Sequence, residues 1–129
     1  MYNEVQIKLH NELSTNTNIT DLLDSFDSYF MIINDEVCPD EWNLKKSTLN
    51  YYENSRDNYS KYDDITFTVN CRSPKYIDSK LIAETIKSEL HEKLSGEYMF
   101  TVVLMGGTLR PFDENDNYNT IIDINVRKK

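Results

Sequence analysis

The sequence is poor in glycine, proline, cysteine and long apolar runs. Its 129 residues include 3 glycines, 3 prolines and 2 cysteines. No stretch is low in complexity, and none stays apolar over the roughly 18 residues that a membrane span requires. Charged residues interrupt the first 13 positions, so they do not resemble a secretory signal. These absences predict one domain over residues 1–129, without a linker and without membrane contact, that stays in the cytoplasm where it is made.

Metal-binding and catalytic motifs are also missing. Cys38 and Cys71 lie 33 positions apart, which fits two reduced thiols better than a disulfide or a metal pair. His10 and His91 lie on predicted helices among charged residues, with no ligand spacing around them. The acidic stretch 113–117 lacks the glycine and the bidentate glutamate of a calcium loop, which favours a solvated turn. We therefore predict no catalytic residue, no cofactor and no metal.

Basic residues are in the minority. Lys and Arg number 14 against 22 Asp and Glu, for a formal net charge of −8. Binding of the phosphate backbone depends on cationic side chains, so this balance argues against a protein that grips nucleic acid. Three interpretations remain open: an acidic surface for a basic partner, the lining of a passage through which nucleic acid slides, and charge that maintains solubility.

The clearest periodicity runs from Asp64 to Leu94. Residues 65–72 alternate between apolar and polar, which is typical of a strand with one buried face. Ser73 and Pro74 interrupt this pattern. The apolar spacing then changes to Ile82, Ile86, Leu90 and Leu94, which predicts an amphipathic helix directly after the strand.

The remaining patterns complete the fold class. Helices are expected over residues 2–13 and from Thr20, and strands over residues 29–33, 48–53, 98–105 and 120–126. Gly106 and Gly107 are expected to end a strand, and residues 54–63 to form a long polar loop. The predicted fold is α+β: a mainly antiparallel sheet of four to five strands, with the N-terminal helix and one long helix packed on one face.

Aromatic side chains supply candidate interface residues. Trp42 is the only tryptophan, and in a polar segment it is either a lid over a core edge or an interface anchor. Tyr59 and Tyr62 belong to a cluster of tyrosines around the long loop. Tyrosine is common at interfaces and equally common in strands, so both interpretations stay open.

The sequence resembles the tail-terminator, or tail-completion, proteins of tailed bacteriophages. The similarity is carried by DITFTVNCRSPKYIDSKLIAETIKSEL, Asp64 to Leu90, and by the closing segment LRPFDENDNYNTIIDINVRKK, Leu109 to Lys129. Residues 38–63 depart from the usual shorter, more proline-rich connection.

This resemblance implies a non-enzymatic head–tail joining protein in the neck of the virion, assembled in the host cytoplasm. It implies a homo-oligomeric ring, typically of six copies, that caps the tail tube and contacts the tail tube protein and the head connector, with DNA passing through without specific binding. Subunit contacts would come from sheet edges and long loops, which adds three candidate interface residues: Arg110, Phe112 and Tyr118. The alternative is a small acidic immunity or inhibitor protein that masks a basic partner such as a nuclease.

Overall fold

The computed structural model describes residues 4–23, 25–26, 29–30, 32–34, 47–56, 64–109 and 118–128. Three helices are present in these ranges: α1 (Glu4–Thr15), α2 (Thr17–Thr20) and α3 (Tyr76–Leu90). They are accompanied by eight strands: β1 (Ser25–Phe26), β2 (Tyr29–Phe30), β3 (Ile32–Asn34), β4 (Thr48–Arg56), β5 (Asp64–Ser73), β6 (Leu94–Ser95), β7 (Tyr98–Leu109) and β8 (Tyr118–Lys128).

Six of these strands form one sheet in the order β3-β4-β5-β8-β7-β6. Its centre is the β5–β8 pair, which runs unbroken through ten residue pairs from Asp64↔Arg127 to Ser73↔Tyr118. Neighbouring strands are antiparallel except β3 and β4, which are parallel. The predicted α+β class with a mainly antiparallel sheet is therefore confirmed, and the short edge strands β3 and β6 bring the strand number to six.

The core lies between one face of the sheet and the helices α1 and α3. The alternation predicted for β5 is present, with every apolar side chain from Ile65 to Cys71 at most 2% exposed. Inter-strand register places these residues beside Ile122, Ile124 and Val126 of β8. The same core cluster includes side chains of α1 and α3, so both helices cover this face and the opposite face carries no described helix.

Helix α3 begins after Ser73 and Pro74, where the strand pattern breaks. The Ser73 hydroxyl accepts a hydrogen bond from the Lys75 N–H at 3.3 Å, which ties the helix entrance to the end of β5. Ile82, Ile86 and Leu90 are fully buried, as their spacing predicted. The fourth member of the series, Leu94, is 56% exposed because the helix ends at Leu90 and the chain turns into β6.

The N-terminal helices differ from prediction mainly in their bounds. Val5, Leu9 and Leu13 of α1 are buried on one face as expected. The second helix was predicted to start at Thr20, but that residue ends α2. The Asn16 side chain accepts hydrogen bonds from the N–H groups of residues 18 and 19 and caps the helix there. Asparagine is a strong N-cap residue, and the prediction overlooked it.

Strand β7 does not stop at its two glycines as predicted. The register with β8 passes from Leu104↔Ile122 to Thr108↔Thr120, so β7 accommodates two extra residues in a bulge. Gly106 has φ +102°, a conformation that side-chain-bearing residues rarely adopt. The glycines therefore permit the bulge, and pairing resumes beyond it.

Candidate assembly surface

In the described ranges, no group of three His, Cys, Asp or Glu side chains is arranged to hold a metal ion. The two histidines instead make structural contacts. His10 Nδ1 lies 2.7 Å from the hydroxyl of Tyr51, a side chain that is 1% exposed. Burial lowers the pKa of His10, because the charged imidazolium loses hydration there. The His10–Tyr51 hydrogen bond joins α1 to β4 within the core.

His91 interacts with the backbone of β7. The helix ends just before this residue, and its Nδ1 accepts a hydrogen bond from the Val102 N–H at 3.0 Å. This bond requires an unprotonated Nδ1. Its Nε2 lies 3.7 Å from a carboxylate oxygen of Glu92, a residue with φ 63°. His91 thus satisfies an amide that points away from β8, at the edge of the sheet.

Cys71 has the environment of a packing residue and not of a nucleophile. The side chain is 0% exposed and the thiol is free. Burial raises the pKa of this thiol well above its ordinary range, because the thiolate would lose hydration without gaining a partner charge.

Side-chain contacts join α1 to the turn that carries β6. Glu12 accepts hydrogen bonds from Lys93 Nζ at 2.8 Å and from the Ser95 hydroxyl at 2.7 Å. Burial alone would raise the pKa of Glu12, but these two hydrogen bonds, together with the positive charges of Lys93 and Lys8, outweigh it and the pKa is lowered. The turn that carries β6 is therefore held against α1.

The outer sheet face, which consists of the outward side chains of β5, β7 and β8, is polar near its middle. Side chains of β5 and β8 are hydrogen-bonded across the pair. The bonds join Thr68 to Asp123, Asn119 to Asn70 and Asn125 to Thr66, each at 3.1 Å. Since these groups bond to one another, this part of the face has few free polar groups to offer a ligand.

Large apolar side chains are exposed on both α3 and β7. Tyr76, Ile77 and Leu81 are 48%, 73% and 42% exposed on the first half of α3. Val103 and Met105 of β7 are 50% and 52% exposed. Neighbouring exposed apolar side chains on one element, as on each of these two, are characteristic of protein contact sites.

In the described ranges, the edge of β7 is paired only in part. β6 pairs with β7 only at Leu94↔Met99 and Ser95↔Tyr98. Phe100 exchanges backbone hydrogen bonds with residues 92 and 93, and His91 then takes the Val102 N–H. Among the described residues, no strand continues along this edge past that point.

Beside this edge is an open cleft of about 490 Å³, here called the β7 cleft. Its lining consists of four α3-side residues and one residue of β7: Glu84, Lys87, Ser88, His91 and Leu104. A smaller hollow of about 90 Å³ adjoins it near the glycine bulge and Tyr76. The β7 cleft carries one carboxylate and one ammonium group, so it is electrically balanced in a chain of net charge −8.

Of the interface residues predicted from sequence, the structure describes Tyr118. Its ring packs edge-on against Tyr76 with centroids 5.8 Å apart, which places it beside the exposed apolar half of α3. Cys38 and the acidic stretch 113–117 lie outside the described residues. So do the other predicted interface residues: Trp42, Tyr59, Tyr62, Arg110 and Phe112. The sequence interpretation overlooked the β7 cleft. The sequence feature that could have indicated it is His91, which follows α3 directly and precedes the apolar strand β7.

A chain of a solved virion has the same fold. That structure is described as "Virion of native gene transfer agent (GTA) particle", and the chains superpose with a TM-score of 0.61. The match covers 93% of this chain and 90% of the other, at 12% sequence identity. No protein-family profile matches the sequence, and no curated protein matches it. At this identity the likeness establishes a shared fold. In addition, no helix among the described residues is long and apolar enough to cross a membrane.

Proposed function

We propose that this chain is a non-enzymatic structural protein of a phage-like virion, a tail terminator that forms a ring on the end of the tail tube. The observation that carries the proposal is the fold shared with a virion chain over 93% of this sequence. The matched region covers most of both chains, so the likeness is not confined to one part of the fold.

The surface of the chain supports an assembly role. Apolar side chains are exposed on α3 and on β7, where a neighbouring protein would remove them from water: Tyr76, Ile77, Leu81, Val103 and Met105. Burial of such groups is the main favourable term in protein association. Tyr118, one of the predicted interface residues, lies beside this surface through its contact with Tyr76.

The proposed ring contains six copies and joins the tail tube protein to the head connector. The net charge of −8 suits such a ring, since carboxylates near a channel repel the phosphates of DNA and keep it from sticking. The protein would assemble in the host cytoplasm and reside in the tail or neck of the finished virion.

Native mass spectrometry with negative-stain imaging tests this proposal. The purified chain is examined over a range of concentrations, with and without magnesium, and then with purified tail tubes. Six copies of a 15.2 kDa chain form a species of about 91 kDa, which should show a central hole. Rings at tube ends are the expected result.

A chain that stays monomeric, leaves tail tubes bare and binds a basic nuclease one-to-one would overturn the proposal. Salt-sensitive binding of that kind would support the acidic inhibitor function instead, because its affinity would rest on opposite charges.

A further inference from the structure

The chain between α3 and β7, here called the β6 turn (residues 91–97), is attached to its neighbours by polar contacts. None of its residues is buried, and its one large apolar side chain, Leu94, is 56% exposed. Glu92 and Gly96 have φ values of 63° and 59°, and the first is unfavourable for a residue that bears a side chain. Because apolar burial contributes little here, hydrogen bonds and charges determine whether the β6 turn stays closed.

The β6 turn is joined to β7 by backbone hydrogen bonds and by one imidazole. The Glu92 N–H donates to the Phe100 C=O at 2.8 Å, and the Phe100 N–H donates to the Lys93 C=O at 2.9 Å. The Val102 N–H donates to Nδ1 of His91 at 3.0 Å. This nitrogen accepts through the lone pair that a proton would occupy. The imidazole therefore holds β7 only while its Nδ1 is unprotonated.

The β6 turn is joined to α1 through Glu12. The Glu12 carboxylate accepts hydrogen bonds from Lys93 Nζ and from the Ser95 hydroxyl. Burial disfavours the charge of Glu12, but these bonds and the positive charges of Lys93 and Lys8 outweigh burial and lower its pKa. The attachment to α1 is therefore complete while Glu12 is ionised, and it is lost as the pH falls through the lowered pKa.

The charges that face His91 favour its protonated form on one side and balance on the other. A carboxylate oxygen of Glu92 lies 3.7 Å from Nε2 and would attract the imidazolium. Across the β7 cleft, α3 contributes Glu84 and Lys87, which have opposite charges. The β7 residue that lines the cleft is Leu104, which carries no charge. Protonated His91 therefore loses its bond to β7 and gains attraction to Glu92.

We infer that the β6 turn is an acid-released clasp, closed at neutral pH and opened in two steps as His91 and then Glu12 take up protons. In the first step His91 releases the Val102 N–H. In the second the turn separates from α1, and the Phe100 N–H loses the Lys93 carbonyl. An imidazole ordinarily takes up its proton between pH 8 and 5, above the range of a carboxylate, which sets this order. The clasp lies within one chain, so its release does not depend on the proposed ring.

Hydrogen–deuterium exchange read by NMR at single amides tests the clasp in the wild-type chain. After correction for the intrinsic pH dependence of exchange, protection of the Val102 amide should fall by about tenfold or more between pH 8 and 5. Its midpoint should match the titration of the His91 ring, and the Phe100 amide should lose protection only at the lower pH where Glu12 is protonated. Neighbouring residues of a strand point their N–H groups to opposite sides, so the Val103 amide is directed towards β8 and should stay protected throughout.

Variants of the two histidines provide a second readout. His91→Asn retains a side-chain carbonyl that accepts the Val102 N–H but takes up no proton, so the protection of Val102 should become independent of pH. His91→Ala should leave that amide unprotected at every pH. His10→Gln removes the other histidine of the chain and is the matched control, because the Val102 midpoint should not move. Protection of the Val103 amide establishes that each variant is folded.

Three results would overturn the inference. The first is protection of Val102 that stays constant across the His91 titration, or that falls equally in His91→Asn. The second is a parallel loss at Val103, which would show that acid unfolds the sheet and not the turn. The third is an exchange midpoint of the Phe100 amide that Glu12→Gln leaves unchanged, since this variant removes the second titration.

Discussion

Replacing Ile86 by alanine should destabilise the protein strongly. Ile86 is 0% exposed, on the face of α3 that packs on β5, β7 and β8. Truncating a buried isoleucine costs about 2–5 kcal/mol, and the upper half of this range applies where surrounding elements cannot collapse into the cavity. Three strands of one continuous sheet resist such movement. For a chain of this size we expect the melting temperature to fall by about 8–20 °C.

The measurement is urea unfolding followed by circular dichroism, with Ile77→Ala as the matched control. Ile77 lies on the same helix but is 73% exposed, so its truncation should change the free energy of unfolding by no more than about 0.5 kcal/mol. Equal losses for both variants, or a loss below about 1 kcal/mol for Ile86→Ala, would show that the helix packs through another face.

Three further predictions concern buried polar groups. Burial lowers the pKa of the His10 imidazole, so the unfolded chain binds a proton there more tightly than the folded chain does. The stability that neutral His10 contributes is therefore complete above pH 6.5, its ordinary pKa, and is lost as the pH falls through the lowered pKa of the folded chain. Urea unfolding at a series of pH values should show this decline, and His10→Gln should flatten it. Ser79→Ala should cost about 1–3 kcal/mol, because the hydroxyl bonds a β5 carbonyl at 2.7 Å and the Thr120 hydroxyl at 2.9 Å. Exposed Ser88→Ala is its control, and equal unfolding midpoints would contradict the prediction. Cys71 should resist alkylation until the protein unfolds, as its buried thiol ionises only at a raised pKa; labelling of the native protein, read on the Cys71 peptide, would refute this.

The local patterns that predicted β5 and α3 succeeded for a simple reason. In a strand with one buried face, apolar residues recur with a period of two, and in a helix packed on a sheet they recur with a period near 3.6. The spacing of apolar residues therefore indicates which side chains are buried. Ile82, Ile86 and Leu90 followed that rule and are buried. Leu94 continued the pattern by chance, because periodicity does not record where a helix ends.

Other features depended on residues far apart in sequence. The glycine pair was expected to end β7, yet pairing with β8 resumes beyond the bulge because the sheet supplies a partner on the far side. The short strands β3 and β6 exist through their longer neighbours, and a two- or three-residue segment carries no period of its own. His91 could not be assigned a role until the fold brought it to the Val102 amide.

The sequence by itself determined the α+β class, the buried face of β5 and α3, and the acidic balance of the chain, since each depends on the order or number of residues along it. Only the tertiary structure decided the strand order, the β7 cleft and the contact of His91 with β7. Those features arise where segments distant in sequence come into contact, and these contacts are stabilised by the burial of apolar surface summed over the whole core.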